Sequence, residues 1–185
     1  PGFISRLLVR RIAPEAEQVV LLVEERFRRP AEKVVRYLVG LLGLPVSRFE
    51  IVTGDITLPG LGLGPKIAER LTAELDTVFH LAAVYDLAVP LELAERVNVL
   101  GTENVNDFVA AMPRLERYNY VSTFAVAGKR SGIIREHELE HDAGFNNHYE
   151  STKYFAEVAV RRAMEEWGLP TSIFRPGVVV GSSRT

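Results

Sequence analysis

The stretch 118–128, Tyr118-Asn119-Tyr120-Val121-Ser122-Thr123-Phe124-Ala125-Val126-Ala127-Gly128, reads as a short strand that ends in two hydroxyls and empties into a turn. Working outward from Tyr118–Thr123, four further runs have the same form: Val19–Val23, Phe49–Val52, Val78–Leu81 and Ser172–Phe174. Each is short, and most stop at Gly, Asp, Ala or Pro, as strands do when they run into a loop before a helix. Between them lie the helical stretches Phe3–Ile12, Ala31–Leu42, Pro65–Leu75, Leu91–Met112 and Tyr149–Trp167. The last carries Phe155, Val158, Ala159 and Ala163 at roughly helical spacing and ends at Gly168, a residue suited to a C-cap. Leu91–Met112 contains Gly101, which predicts either one long helix with a close packing contact there or two shorter ones. Strands alternating with helices are the mark of an α/β sheet.

Composition narrows the function classes. The chain has 185 residues, 22 Lys and Arg against 24 Asp and Glu, and a net charge of −2. That length suits one domain with a real core. A 47% hydrophobic and 25% charged composition excludes intrinsic disorder. The near-neutral balance argues against a general nucleic-acid or anionic-membrane binder, each of which wants a basic surface. With no cysteine there is no disulfide framework, thiol nucleophile or Cys-ligated metal. No apolar run reaches the roughly 18–20 residues that span a bilayer, and Pro1–Arg11 lacks the apolar core of a secretory signal. The expectation is a soluble, cytoplasmic domain.

The ends predict a longer native protein. An α/β unit normally opens with a strand, yet Pro1-Gly2-Phe3 is a turn running straight into a helix, and Val178-Val179-Val180-Gly181 leads nowhere. In a doubly wound sheet the first strand is central and bonds neighbours on both sides. The reading therefore expects native residues before Pro1 and after Thr185, and a break in pairing between the strands at Val19–Val23 and Val78–Leu81.

Tyr149 and Lys153 stand at i and i+4 at the start of a helix, so both side chains share one face. A free phenol, with a pKa near 10, is a poor acid–base catalyst at neutral pH. A nearby ammonium favours the phenolate and brings that pKa toward useful range. Upstream, Ser122 and Thr123 offer hydroxyls that can donate to a carbonyl oxygen as charge builds on it. A surface pair and a strand-end hydroxyl bonding local backbone are the plainer readings of each taken singly. Further elements are His80-Leu81-Ala82-Ala83 after one strand, Gly54-Asp55-Ile56 after another, and Asn98-Val99-Leu100-Gly101-Thr102 on a helix.

In this order these motifs resemble the extended short-chain dehydrogenase/reductases, NAD(P)-dependent Rossmann enzymes, across essentially all of 1–185. Gly54-Asp55-Ile56-Thr57-Leu58-Pro59-Gly60-Leu61-Gly62-Leu63 and 145–157, from Phe145 through Tyr149 and Lys153 to Glu157, are similar to the thioester-reductase and fatty acyl-CoA reductase branch. The resemblance implies a doubly wound parallel Rossmann sheet with helices on both faces, its first strand and a C-terminal substrate domain lying outside this chain. It implies that Tyr149 is the general acid, and that Lys153 lowers its pKa and bonds the nicotinamide ribose. Thr123 matches the catalytic Ser/Thr, with Ser122 beside it as the other candidate and a cofactor contact, and Asn98 matches the supporting asparagine. Asp55 and Ile56 would meet adenine, Ala82 and Ala83 would line the dinucleotide, and Pro176, Gly177 and Val178 would meet its nicotinamide end. Gly2, Phe3 and Ile4 resemble the second half of the glycine-rich fingerprint, with pyrophosphate at the helix N-terminus. Ser5 stands where many relatives have the last glycine. The implied partners are NAD(P) and a small-molecule or acyl-thioester substrate, with no nucleic acid and no membrane span, and a homodimer is allowed.

Glu24, at the end of the strand Val19–Val23, falls where a carboxylate takes the ribose hydroxyl of NAD and an arginine takes the 2′-phosphate of NADP. Glu24-Glu25 favours NAD(H) or dual use, against the NADPH habit of the branch, although Arg26 or Arg28 could fold back to neutralise a phosphate. Three rival readings stand beside the reductase. A nucleotide-sugar epimerase or dehydratase shares Tyr149, Lys153 and Thr123. A dinucleotide-binding sensor without turnover commonly loses the tyrosine or lysine, and both are present. His137-Glu138-Leu139-Glu140-His141 spells H-E-x-x-H, but the longer metzincin pattern wants its third ligand at Asn147, and only Leu139 is apolar. A solvated loop over the substrate cleft, with no metal, is the expectation there.

Overall fold

The computed structural model describes residues 2–86 and 88–181. Pro1, Leu87 and 182–185 lie outside the described residues, and with them the expectations placed on the chain's two extreme residues. The chain resolves into two compact units, Pro1–Asp55 and Ile56–Thr185, and among the described residues five strands form two parallel sheets.

In the first unit, α1 (Phe3–Ile12) leads to β1 (Val19–Val23), α2 (Arg28–Leu42) and β2 (Phe49–Thr53). β1 and β2 run parallel, from Val19 opposite Phe49 to Val23 opposite Thr53. Ala31, Val35 and Leu38 recur along α2 at helical spacing and are its buried residues. Val35 and Leu38 join Val9 and Ala13 of the α1 end, Val19 and Phe49 in one apolar cluster. The Arg48 guanidinium donates to the Ala16 carbonyl and ties the entry of β2 to the loop before β1.

The second unit holds α3 (Pro65–Glu74), β3 (Thr77–His80), a segmented helix α4 (Leu91–Ala94) to α5 (Gly101–Ala110), β4 (Arg117–Val121), α6 (His148–Trp167) and β5 (Thr171–Phe174). β4 is central, with Tyr118 opposite both Val78 and Thr171. Its Tyr118 and Tyr120 on one face and Asn119 on the other are all buried, as a strand covered on both faces demands. β1 and β3 lie in separate sheets, matching the expected break in pairing.

Strand ends differ from the sequence reading by a residue or two. β3 stops at His80 rather than Leu81, and β4 at Val121, so Ser122 and Thr123 lie just beyond the ladder. The stretch 91–112 is one helical path interrupted by a π-type turn at Glu95–Leu100. The packing contact expected at Gly101 is there: a Cβ on this residue would lie 2.8 Å from Ile56 Cδ1. α6 ends at Gly168 in the left-handed conformation expected of its cap, at φ 66°. The H-E-x-x-H segment is loop, not helix. No helix among the described residues is long and apolar enough to cross a membrane.

Candidate active site

The start of α6 is fixed by its own side chains. Asn147 Oδ1 accepts from the Glu150 backbone N–H at 2.9 Å, and the Glu150 carboxylate reaches back to the Asn146 N–H at 2.8 Å. The position a third zinc ligand would need is therefore spent on a helix cap. With that register set, Tyr149 and Lys153 face the same way, and they are not equally buried. Tyr149 is half-buried, whereas Lys153 is 2% exposed.

The Lys153 ammonium donates to the Tyr120 hydroxyl at 2.7 Å and to the Val121 carbonyl at 2.9 Å. Burial pushes its pKa down to about 7, and the negative charge of Glu157 opposes that fall. Tyr149 goes the other way: burial holds its phenol above the ordinary value, and a hydrogen bond from Thr123 opposes the rise. This corrects the expectation that Lys153 lowers the phenol's pKa. The lysine is seated on Tyr120 and Val121, and Thr123 is the group that stabilises the phenolate.

The two strand-end hydroxyls part company. Thr123 Oγ1 accepts from the Ala125 N–H at 3.2 Å, capping the turn Phe124–Ala127, which leaves its own proton free to donate. Ser122 Oγ instead donates to Glu157 Oε2 at 2.6 Å. Of the two, Thr123 is the one beside Tyr149, and the Ser122 hydroxyl proton is committed to Glu157.

Asn98 sits in the π-type turn, 1% exposed. Its amide clamps both backbone groups of Val84, at 2.8 and 3.1 Å, and donates to Thr152 Oγ1 at 3.0 Å. Thr152 lies between Tyr149 and Lys153, so one side chain ties the loop after β3 to the reactive turn of α6. π-type turns recur where a helix must aim one such residue.

Several groups quoted in the sequence motifs take roles here that the sequence did not assign. His80, 4% exposed, shares a 3.0 Å hydrogen bond with Thr102 Oγ1, and burial, then the Lys153 charge, push its pKa down to about 3. Tyr120 carries the ammonium, and burial keeps its phenol far above the ordinary value. Glu157 is fully buried; burial alone would raise its pKa, but hydrogen bonds from Arg175, Ser122 and Arg161 pull it below the ordinary value. The i, i+4 step from Lys153 to Glu157 was the one signal available.

The remaining candidates are placed as follows. Ile56 packs on Gly101 and its carbonyl accepts from Asn104 Nδ2 at 2.7 Å, and Asp55 is partly buried one residue before it. Ala82 is exposed and Ala83 half-buried in the loop after β3. The Pro176 carbonyl accepts from the Phe124 N–H at 3.1 Å, and Gly177 and Val178 follow it in irregular backbone. In the first unit, Gly2 caps α1 without a side-chain hydrogen bond, and Phe3 and Ile4 are exposed in its first turn. Glu24 is gripped by Arg26, Nε to Oε2 at 2.9 Å and Nη2 to Oε1 at 3.0 Å. Of the H-E-x-x-H pair, His137 offers its carbonyl to Arg161. His141 bonds the Val126 carbonyl at 2.9 Å and packs against Phe145 and Tyr154.

Residues 1–185 match the NAD-binding family described as "Male sterility protein". A non-canonical nonribosomal peptide synthetase, cpsA of Aspergillus campestris, is 30% identical over 200 residues, which cover 100% of this chain and 19% of that protein. The fatty acyl-CoA reductase wat of Drosophila melanogaster is 27% identical over 222 residues, covering 99% of this chain and 42% of that one. The crystal structure of the terminal R domain from the myxalamid PKS-NRPS pathway has a TM-score of 0.84 at 32% identity, over 98% of this chain and 48% of that one. The chain thus spans less than half the length of each.

Proposed function

Since the chain belongs to the NAD-binding family described as Male sterility protein, within the extended short-chain dehydrogenase/reductases of the thioester-reductase branch, we propose that it reduces an acyl thioester or related carbonyl. The observation that carries this reading is the buried Lys153 ammonium, one helical turn from Tyr149, bonded to Tyr120 and to the carbonyl of Val121 two residues before Thr123. A bound NAD(P)H supplies the hydride. The donor set fits such a cofactor: Lys153 spends two of its three ammonium protons on Tyr120 and Val121, leaving one for a ribose hydroxyl.

With substrate bound, the single Thr123 O–H passes from the Tyr149 phenol to the substrate carbonyl oxygen and holds it against Tyr149. As negative charge develops on that oxygen, the Tyr149 O–H gives up its proton to it. A phenol held above its ordinary pKa keeps that proton at neutral pH, as reduction requires. Lys153, with a pKa near neutrality, then stands one helical turn away as a proton source for the phenolate.

Oxidation of NADH or NADPH driven by octanoyl-CoA tests the reading. Tyr149→Phe should cut kcat by at least ~10²-fold while dinucleotide binding persists. An unimpaired Tyr149→Phe enzyme would overturn the assignment. Turnover of a UDP-sugar without net dinucleotide oxidation would favour the epimerase reading, which shares the same three residues.

A further inference from the structure

Glu157 lies one turn beyond Lys153 on α6, and its side chain is 0% exposed. Four hydrogen-bond donors from three parts of the second unit meet on its carboxylate. Ser122 Oγ, at the end of β4, reaches Oε2 at 2.6 Å. Arg175, just after β5, reaches Oε1 through Nη2 at 2.6 Å and Oε2 through Nε at 3.0 Å. Arg161, on the next turn of α6, reaches Oε1 at 3.1 Å. Both guanidiniums also hold the acidic loop: Arg175 Nη1 donates to the Glu138 carbonyl, and Arg161 to those of His137 and Glu136. A buried ion pair is weak evidence for stability, because apolar side chains of similar volume often serve as well. The arrangement does something packing does not: it fixes where two strand ends stop relative to α6.

We propose that Glu157 is a positioning residue of the site, seating Ser122 so that Thr123 meets Tyr149 and supplying the counter-charge for the Lys153 ammonium. This rests on the reading of Thr123, Tyr149 and Lys153 as the reacting set. Thr123 is extended, with φ −156° and ψ 151°, so consecutive side chains point to opposite sides of the backbone. Drawing Ser122 inward to Glu157 turns Thr123 outward to the phenol. The titratable groups around the ammonium are His80 of β3, Tyr120 of β4, and Tyr149 and Glu157 of α6. The buried polar side chains of the helix path through α4 and α5, Asn98, Thr102, Asn104 and Asn106, are all uncharged. His80 and both tyrosines are neutral near pH 7. Glu157, whose carboxylate is shared with Arg161 and Arg175, is therefore the charge that opposes burial at Lys153.

The chain has four lysines, Lys33, Lys66, Lys129 and Lys153, so 13Cε-lysine NMR of the 185-residue chain can follow Lys153 directly, its signal assigned by loss in Lys153→Met. Glu157→Gln should lower the Lys153 titration midpoint by about one pH unit or more, and Glu157→Asp should restore part of it. Ser122→Ala leaves the charge in place, so the Lys153 midpoint should hold. In the same variant 13Cζ-tyrosine NMR should show the Tyr149 midpoint rising, as its Thr123 bond loosens. Turnover of octanoyl-CoA by Ser122→Ala should fall ~10- to ~100-fold in kcat with dinucleotide Kd unchanged. Both titrations need no substrate, so a failed reductase assay and a failed role for Glu157 are told apart. An unmoved Lys153 midpoint in a folded Glu157→Gln chain overturns the proposal. If that variant does not fold, Ser122→Ala decides alone, and an unmoved Tyr149 midpoint overturns it.

Discussion

The two compact units are built on opposite principles. In Pro1–Asp55 the buried residues are Val9, Ala13, Val19, Ala31, Val35, Leu38, Phe49 and Val52, all apolar. In Ile56–Thr185 the interior also holds His80, Asn98, Thr102, Asn104, Asn106, Asn119, Ser122, Thr123, Thr152, Lys153 and Glu157. Among the described residues every buried polar side chain falls in the second unit. Apolar burial stabilises without direction, whereas a buried polar group costs free energy unless its partner is placed to bond it. The first unit is thus a scaffold held by area. The second holds side chains at fixed angles, the condition that acid–base chemistry needs.

Substitution separates these principles most sharply. Leu38→Ala opens a cavity in the apolar cluster and should cost ~2–5 kcal/mol in a denaturant melt. Asn98→Ala strands the Val84 amide and carbonyl and the Thr152 hydroxyl, and should cost only ~1–3 kcal/mol. Activity should run in the opposite order, with Asn98→Ala losing more kcat per unit of lost stability. If Leu38→Ala were the more damaging to kcat, the division into scaffold and site would fail.

Stability against pH follows the second unit. His80 takes up a proton near pH 6.5 when unfolded but only near 3 when folded, so stability falls as pH drops from 6.5 toward 3. Glu157, held below its ordinary value, adds to that loss as it is protonated in acid. Lys153 keeps its proton up to about 10.5 when unfolded and loses it near 7 when folded, so stability rises with pH across that window. Each slope is at most ~1.4 kcal/mol per pH unit. Denaturant midpoints across pH should show both limbs, with His80→Gln flattening the acid one and Lys153→Met the alkaline one. Limbs unchanged in those variants would mean that the buried groups are not the source.

The smallest effect is expected in the first unit, at Glu24. Its carboxylate already occupies Arg26, so the native chain should favour NADH or use both cofactors. Glu24→Ala frees Arg26 for a 2′-phosphate and should shift preference toward NADPH about tenfold, or ~1.4 kcal/mol. Titration of both reduced cofactors reads this. A native tenfold preference for NADPH would show that Arg26 and Arg28 outweigh the carboxylate.

How much was legible in advance divides along the same line. β1 and α1 were readable at their observed bounds, and α2 from Ala31 onward, because period-2 and period-3.6 patterns arise between near neighbours. α2 in fact begins at Arg28, since the turn Glu25–Phe27 runs into it, a continuation that no apolar spacing announces. In the candidate site, Tyr149, Lys153, Thr123 and Asn98 were each named from local motifs. Their bonds were not. Nothing near Ser122 in sequence distinguishes it from Thr123, and nothing near Lys153 reveals that the Tyr120 hydroxyl accepts its hydrogen bond.

The sequence by itself determined the α/β alternation, the shared face of Tyr149 and Lys153 and the cap at Gly168. Each depends on residues a few positions apart or on a single backbone need. Tertiary structure alone decided which hydroxyl faces the phenol, where the ammonium rests and what neutralises Glu157. Those bonds join residues 33 positions apart for Lys153 and Tyr120, 35 for Ser122 and Glu157, and 54 for Asn98 and Thr152. A hydrogen bond needs its atoms within about 3 Å and aligned. Over such separations only the packed sheet and the helices on it can supply that alignment.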